Sequence, residues 1–165
     1  MKQFGLLLGM LLALGSCGTA KAEIGENSLA HNWGARLGFF VPERDSVRSA
    51  TNDVWLNFGV DHTFYDNGMV KGVFSIDYYG SNGTYNIPFL FNAETEKNNW
   101  RMGAGLGINV GHDLDKGLTS MAYDLLVGYS ISKGLNPINF DVRYIGTTRS
   151  NSQLNGWSFT LGIGF

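Results

Sequence analysis

The chain has 165 residues, room for one domain and too few for two ordinary ones. With 12 Lys and Arg against 14 Asp and Glu, its net charge of −2 excludes the basic balance of a nucleic-acid binder or of a polybasic membrane-surface protein. Charged residues are only 16% of the chain and glycines number 23, which is poor in charge and rich in glycine for a protein facing water on all sides.

At the N-terminus, Lys2 precedes the apolar run Phe4 to Gly15. That run has 12 residues, against about 20 for a membrane-spanning helix, and fits the apolar region of a secretory signal. Two processing routes follow. Ala20-Lys21-Ala22 is an A-x-A site, whose cleavage removes residues 1–22 and leaves a mature chain starting at Glu23 with no cysteine. Leu14-Gly15-Ser16-Cys17 instead resembles a lipobox, with Cys17 as a lipidated terminus. Cleavage at Ala22 is the reading adopted, with residues 23–31 as a short periplasmic lead-in.

From Asn32 to Phe165 the sequence alternates with period two between turn signals, as strands with unlike faces do. Eight strands are predicted: Asn32–Val41, Val54–Tyr65, Val70–Tyr79, Tyr85–Ala93, Trp100–Val110, Met121–Ile131, Ile138–Ile145 and Gly156–Phe165. Counted from the first strand, the odd connectors include the three longest, although Gly80–Thr84 among them is short, and the even ones are mostly tight. Pro42–Asp53, His112–Ser120 and Gly146–Asn155 are long and polar; Asp66–Gly68, Gly80–Thr84, Glu94–Asn99 and Ser132–Pro137 carry turn chemistry. Long loops at one end and tight turns at the other suit an up-and-down membrane barrel.

One phase of these strands contains no Asp, Glu, Lys or Arg; it reads Leu37-x-Phe39, Phe58-x-Val60, Phe89-x-Phe91 and Leu106-x-Ile108, with similar residues on the remaining strands. The other phase holds every predicted strand charge, Arg36, Asp61, Lys71, Asp77, Arg101, Asp124, Asp141 and Arg143, amid glycine, asparagine, serine and threonine. A soluble calyx would turn the apolar phase inward and clothe its outside in charge. Here the polar phase has few charges and many glycines, as a narrow shared interior demands. A Lys or Arg at the bilayer midplane of a barrel costs roughly 2–4 kcal/mol, which accounts for the uncharged outer phase. The expected fold is therefore an all-β, eight-stranded antiparallel transmembrane barrel with a polar, side-chain-filled lumen. Trp33 and Trp100 at one rim and Tyr144 and Trp157 at the other read as interface aromatics.

In this architecture the chain resembles the small outer-membrane barrels of the OmpA/OmpX type, over roughly Asn32 to Phe165. The resemblance implies residence in the outer membrane of a diderm bacterium, contact with its lipid and lipopolysaccharide, and assembly by the barrel assembly machinery. It also implies that the closing strand, with Leu161, Ile163 and Phe165 at the matching places, serves as the assembly signal. The outer loops are shorter than those that drive adhesion in many members of the class.

No candidate chemistry stands out. Asp61 and His62 are adjacent on one strand and point to opposite faces. His31 and His112 complete the histidines; His112 lies near Asp113, Asp115 and Ser120, but without a His-x-Ser pattern. Asp113 to Gly117 lacks the distal glutamate of a calcium loop, and the Gly103 to Gly107 run has no following helix to cradle a dinucleotide. No catalytic residue, cofactor or metal is assigned. The lumen charges are expected to pair, since lone buried charges are costly. The functional expectation is a non-enzymatic envelope-structural or surface-interaction protein. A narrow channel for ions or small solutes is the alternative, and a lipid-modifying enzyme comes after it.

Overall fold

The structure is a computed structural model that describes residues 32–133, 136–149 and 151–165. The signal, the lipobox, the lead-in and His31 lie outside the described residues. Eight strands run in chain order: β1 (Trp33–Pro42), β2 (Trp55–Asp66), β3 (Lys71–Ser81), β4 (Thr84–Lys97), β5 (Trp100–His112), β6 (Gly117–Ser132), β7 (Ile138–Thr147) and β8 (Gly156–Gly164). Each pairs antiparallel with the next, and β8 closes on β1. The closure runs from Pro42 opposite Gly156 to Gly34 opposite Gly164. It is extended by Phe165 N–H donating to the Trp33 carbonyl at 2.9 Å. A closed sheet leaves no edge, so every backbone group can be satisfied where water is absent.

The barrel is inverted relative to a soluble one. Leu37, Phe39, Phe91, Leu106, Ile108, Met121, Leu125 and Leu161 are exposed on the outer wall, while Arg36, Asp77, Asp124, Asp141, Arg143 and Asn57 are buried inside. A continuous apolar exterior around a polar interior is the arrangement of a barrel that spans a membrane. No helix among the described residues is long and apolar enough to cross one.

The strands extend further than the sequence pattern implies. Glu94–Asn99, expected as a connector, is mostly strand: β4 runs on to Lys97, with Glu94 opposite Lys71 and Gly103 and Glu96 opposite Arg101. Both carboxylates find cations inside the lumen, which is what holds the extra turns of strand in register. The remaining turn is Asn98-Asn99, both at positive φ, as a two-residue hairpin of matching twist requires. Asn82-Gly83 makes the same kind of turn between β3 and β4.

His112–Ser120 also differs from its expected form. The β5–β6 ladder zips up to His112 opposite Gly117 and leaves only the turn 113–116. Asp113 fixes that turn by accepting from the Asp115 and Lys116 amides at 2.9 and 2.8 Å. Residues 43–54 hold a short helix, α1 (Asp45–Ala50), where an irregular loop was expected. The long connections are thus the β1–β2 and β7–β8 loops, at the end opposite Trp33 and Phe165. The two ends are called here the loop end and the terminal end.

Candidate functional site

Among the described residues, buried polar side chains concentrate in the lumen, which is organised in layers. Nearest the terminal end lies an open cavity of about 510 Å³, walled by residues that include Arg36, Asp61, Asp66, Lys71, Glu94, Glu96, Arg101 and Asp141. Its mouth carries ion pairs of mixed length. Lys71 Nζ lies 3.5 Å from Glu96 and 4.0 Å from Asp66, while Lys133 Nζ lies 2.9 Å from the other Glu96 oxygen.

Deeper in, the charges tighten. Arg36 donates to Asp61 through Nε at 2.6 Å and Nη2 at 2.8 Å, and its Nη1 lies 2.9 Å from Asp77. Arg101 donates to Glu94 at 2.8 Å and to Asp141 at 3.3 Å. Arg143 is wholly buried and sits among four carboxylates: Asp124 at 3.4 Å, Asp77 and Glu94 at 3.8 Å, and Asp61 at 3.9 Å. These separations exceed the roughly 2.7–2.9 Å of a short charge-assisted bond. Arg143 is therefore the hub of a cluster rather than one half of a pair. In this layer three guanidinium groups, from Arg36, Arg101 and Arg143, face five carboxylates.

Glycines make room for this layer. Arg36 lies directly across from Gly59 on β2 and Gly162 on β8. Gly59 also faces Asp77, so that a Cβ there would come within 2.9 Å of the Arg36 guanidinium. Gly105 plays the same part between Asn92 and Asp124. Much of the glycine content of the lumen phase thus follows from charged side chains on adjacent strands: Arg36, Asp77, Arg101, Asp124 and Asp141 each lie across from a glycine.

Above the charges comes a neutral layer of amides and hydroxyls. Asn57 donates to Ser158 at 2.5 Å, Ser120 to Asn109 at 2.5 Å, Asn109 to Asn86 at 2.8 Å and Asn86 to the Tyr79 hydroxyl at 2.7 Å. Tyr79 in turn donates to the Leu154 carbonyl at 2.9 Å. The loop end is closed by an apolar plug of Phe40, Trp55, Tyr79 and Ile145 from the strands, with Val47 of α1 and Leu154 of the β7–β8 loop folded onto them. Phe40 and Tyr79 stack with ring centroids 3.9 Å apart. The cap is tied down: Trp55 Nε1 donates to the Asn52 carbonyl at 2.9 Å, Asn82 to the Thr51 carbonyl at 3.1 Å, and the Glu43 amide to the Asn155 carbonyl at 2.9 Å.

All eight charges named from the sequence lie on the lumen side, and the structure joins Arg36, Asp61, Asp77, Asp124 and Arg143 in one cluster, with Arg101 and Asp141 beside it. Lys71 stands apart at the mouth. Sequence reasoning missed Glu94 and Glu96, which it placed in a turn, and the plug. The signal for the plug was present: Phe40, Trp55, Tyr79 and Ile145 are large apolar residues in the polar phase, all at one end of their strands.

On the outer wall, Trp33 packs against His62 in a tilted arrangement with ring centroids 4.5 Å apart at the terminal rim, and Trp100 meets Tyr129 edge-on at 5.3 Å. At the loop rim Tyr144 meets Trp157 at 5.2 Å and its hydroxyl donates to Glu43 at 2.7 Å. Leu161, Ile163 and Phe165 are exposed on the outer wall of the closing strand and its end. His112 Nδ1 is engaged by the Asp113 carbonyl at 2.7 Å, and Ser120 is buried in the lumen against Asn109, so the histidine and the serine are not brought together.

No family model matches the chain, and no curated protein matches it. Among solved structures it is similar to the outer membrane enzyme PagL, with a TM-score of 0.46 and 11% identity over 80% of this chain and 98% of that one. Neither an activity nor a residue role carries across at that level of likeness.

Proposed function

We propose that the chain is a non-enzymatic integral outer-membrane barrel of a diderm bacterium with an envelope-structural role. Its loop end, capped by α1 and the β7–β8 loop, is the surface presented outside. The observation that carries this reading is the filled lumen: the charged cluster, the amide layer and the apolar plug lie in series across the interior. An interior occupied in this way braces the wall and leaves no continuous aqueous path.

The tight β2–β3 and β4–β5 turns, at the end shared with the start of β1 and the end of β8, support a periplasmic position for that end. The outer wall meets lipid, with lipopolysaccharide against its loop-end half. The barrel assembly machinery is the proposed assembly partner, reading the closing strand through Leu161, Ile163 and Phe165. The cavity at the terminal end favours one second reading, a narrow channel for ions or small solutes, because it already opens the lumen from one side.

Planar-bilayer recording of the purified protein separates the two. The structural reading expects no resolved current steps under an applied voltage. Steady unitary conductance that scales with salt would replace it with the channel.

A further inference from the structure

The cavity at the terminal end is a blind pocket. The Arg36–Asp61 and Arg101–Glu94 pairs, at 2.6 and 2.8 Å, close its inner side, and the buried Arg143 cluster lies beyond them. Its volume of about 510 Å³ falls within the roughly 300–1,000 Å³ typical of small-molecule sites. Charge is unevenly spread along it. At the mouth two carboxylates meet two ammonium groups: Glu96 contacts Lys133 at 2.9 Å and Lys71 at 3.5 Å, and Asp66 lies 4.0 Å from Lys71. On the floor three carboxylates, Asp61, Glu94 and Asp141, meet two guanidinium groups, and both of those are shared. Arg36 also serves Asp77, and Arg101 is divided between Glu94 and Asp141. Arg143 does not restore the balance from behind, because it faces Asp77 and Asp124 as well. Glu94 shows where the deficit falls. It is 3% exposed, and one of its oxygens accepts from Arg101. The other, Oε1, accepts no hydrogen bond and has Arg143 Nη2 only at 3.8 Å. A buried carboxylate oxygen left without a donor is costly.

We propose that this pocket binds a small hydroxylated primary amine, of the amino-sugar class, whose ammonium donates to Glu94 at the floor. The excess of carboxylates selects a cation. An anion would add to the excess, and a zwitterion would bring back the charge that its ammonium offsets. No group of three His, Cys, Asp or Glu side chains among the described residues could hold a metal ion. An ammonium instead supplies three N–H donors to a carboxylate that lacks one. Above the floor, Thr63, Ser130, Ser132 and Asn139 place hydroxyl and amide groups in the wall, where they can bond the hydroxyls of the ligand.

The test uses the full-length protein in detergent micelles at neutral pH, with glucosamine as the probe and saturation-transfer NMR as the readout. Saturable glucosamine binding is expected. N-acetylglucosamine, which keeps the hydroxyls and loses the charge, should bind at least tenfold more weakly. Glu94→Gln is expected to weaken glucosamine binding at least tenfold, while Glu43→Gln, at the loop end, leaves it unchanged. An unaltered heat-modifiable gel shift in each variant certifies the fold, and the comparison of the two sugars needs no variant at all. Magnesium ion at the same concentration as glucosamine should leave the sugar bound. Absence of saturable binding to the wild type, equal binding of N-acetylglucosamine, displacement by magnesium, or full binding by a folded Glu94→Gln protein would each overturn the proposal. None of these outcomes depends on whether the lumen conducts.

Discussion

Replacing Arg143 with methionine is expected to destabilise the folded barrel by about 3–5 kcal/mol, the usual consequence of removing one partner from a buried charge cluster. Arg143 is fully buried and is the only cation within 4 Å of Asp124 among the described residues. Without it, two guanidinium groups, from Arg36 and Arg101, would face five carboxylates in the same low-dielectric layer. Asp124→Asn is the informative contrast. Asp124 makes a single long contact with Arg143, at 3.4 Å, and its neutralisation reduces the carboxylate excess, so its cost should be about 1 kcal/mol or less. Urea unfolding of the protein inserted in lipid vesicles, followed by tryptophan fluorescence, measures both. An Arg143→Met protein as stable as the wild type would refute the role of Arg143 as hub.

The second large effect lies on the outer wall. Leu106 is at the middle of β5 and 65% exposed. In a water-soluble protein, changing so exposed a leucine to arginine alters stability within about 0.5 kcal/mol. At the midplane of a bilayer the same change costs roughly 2–4 kcal/mol. Leu106→Arg is expected to show the larger cost in vesicles, with Leu106→Ala well below it. A cost under 0.5 kcal/mol for the arginine variant would mean that this face does not contact hydrocarbon.

Most of the barrel is legible because the strand period is two and the two solvents differ so sharply. A charge in the wrong phase would be expensive on every strand, so the alternation of Leu37 and Phe39 against Arg36 and Gly38, repeated around the wall, reveals both the strands and their inner face. Strand ends are less legible. Glu94-Thr95-Glu96-Lys97 resembles a polar turn, and only the proximity of Arg101 and Lys71 across the ladder turns its carboxylates into lumen residues. A helix as short as α1 leaves little pattern to read, since Val47 is its only buried residue. The partners of each charge could not be read either. Pairing Arg36 with Asp61 needs only neighbouring strands, but bringing Arg143 of β7 to Asp77 of β3 and Glu94 of β4 needs the closed cylinder. The plug eluded the pattern because its residues break the rule that the inner phase is polar, and they do so only at the loop end, where capping rather than solvation governs the choice.

Residence of this inverted barrel in an outer membrane is tested by cell fractionation combined with electrophoresis of unheated and boiled samples. The protein is expected in the outer-membrane fraction, with an unheated band that migrates differently from the boiled one. Recovery in the periplasmic supernatant with no heat-dependent shift would contradict it.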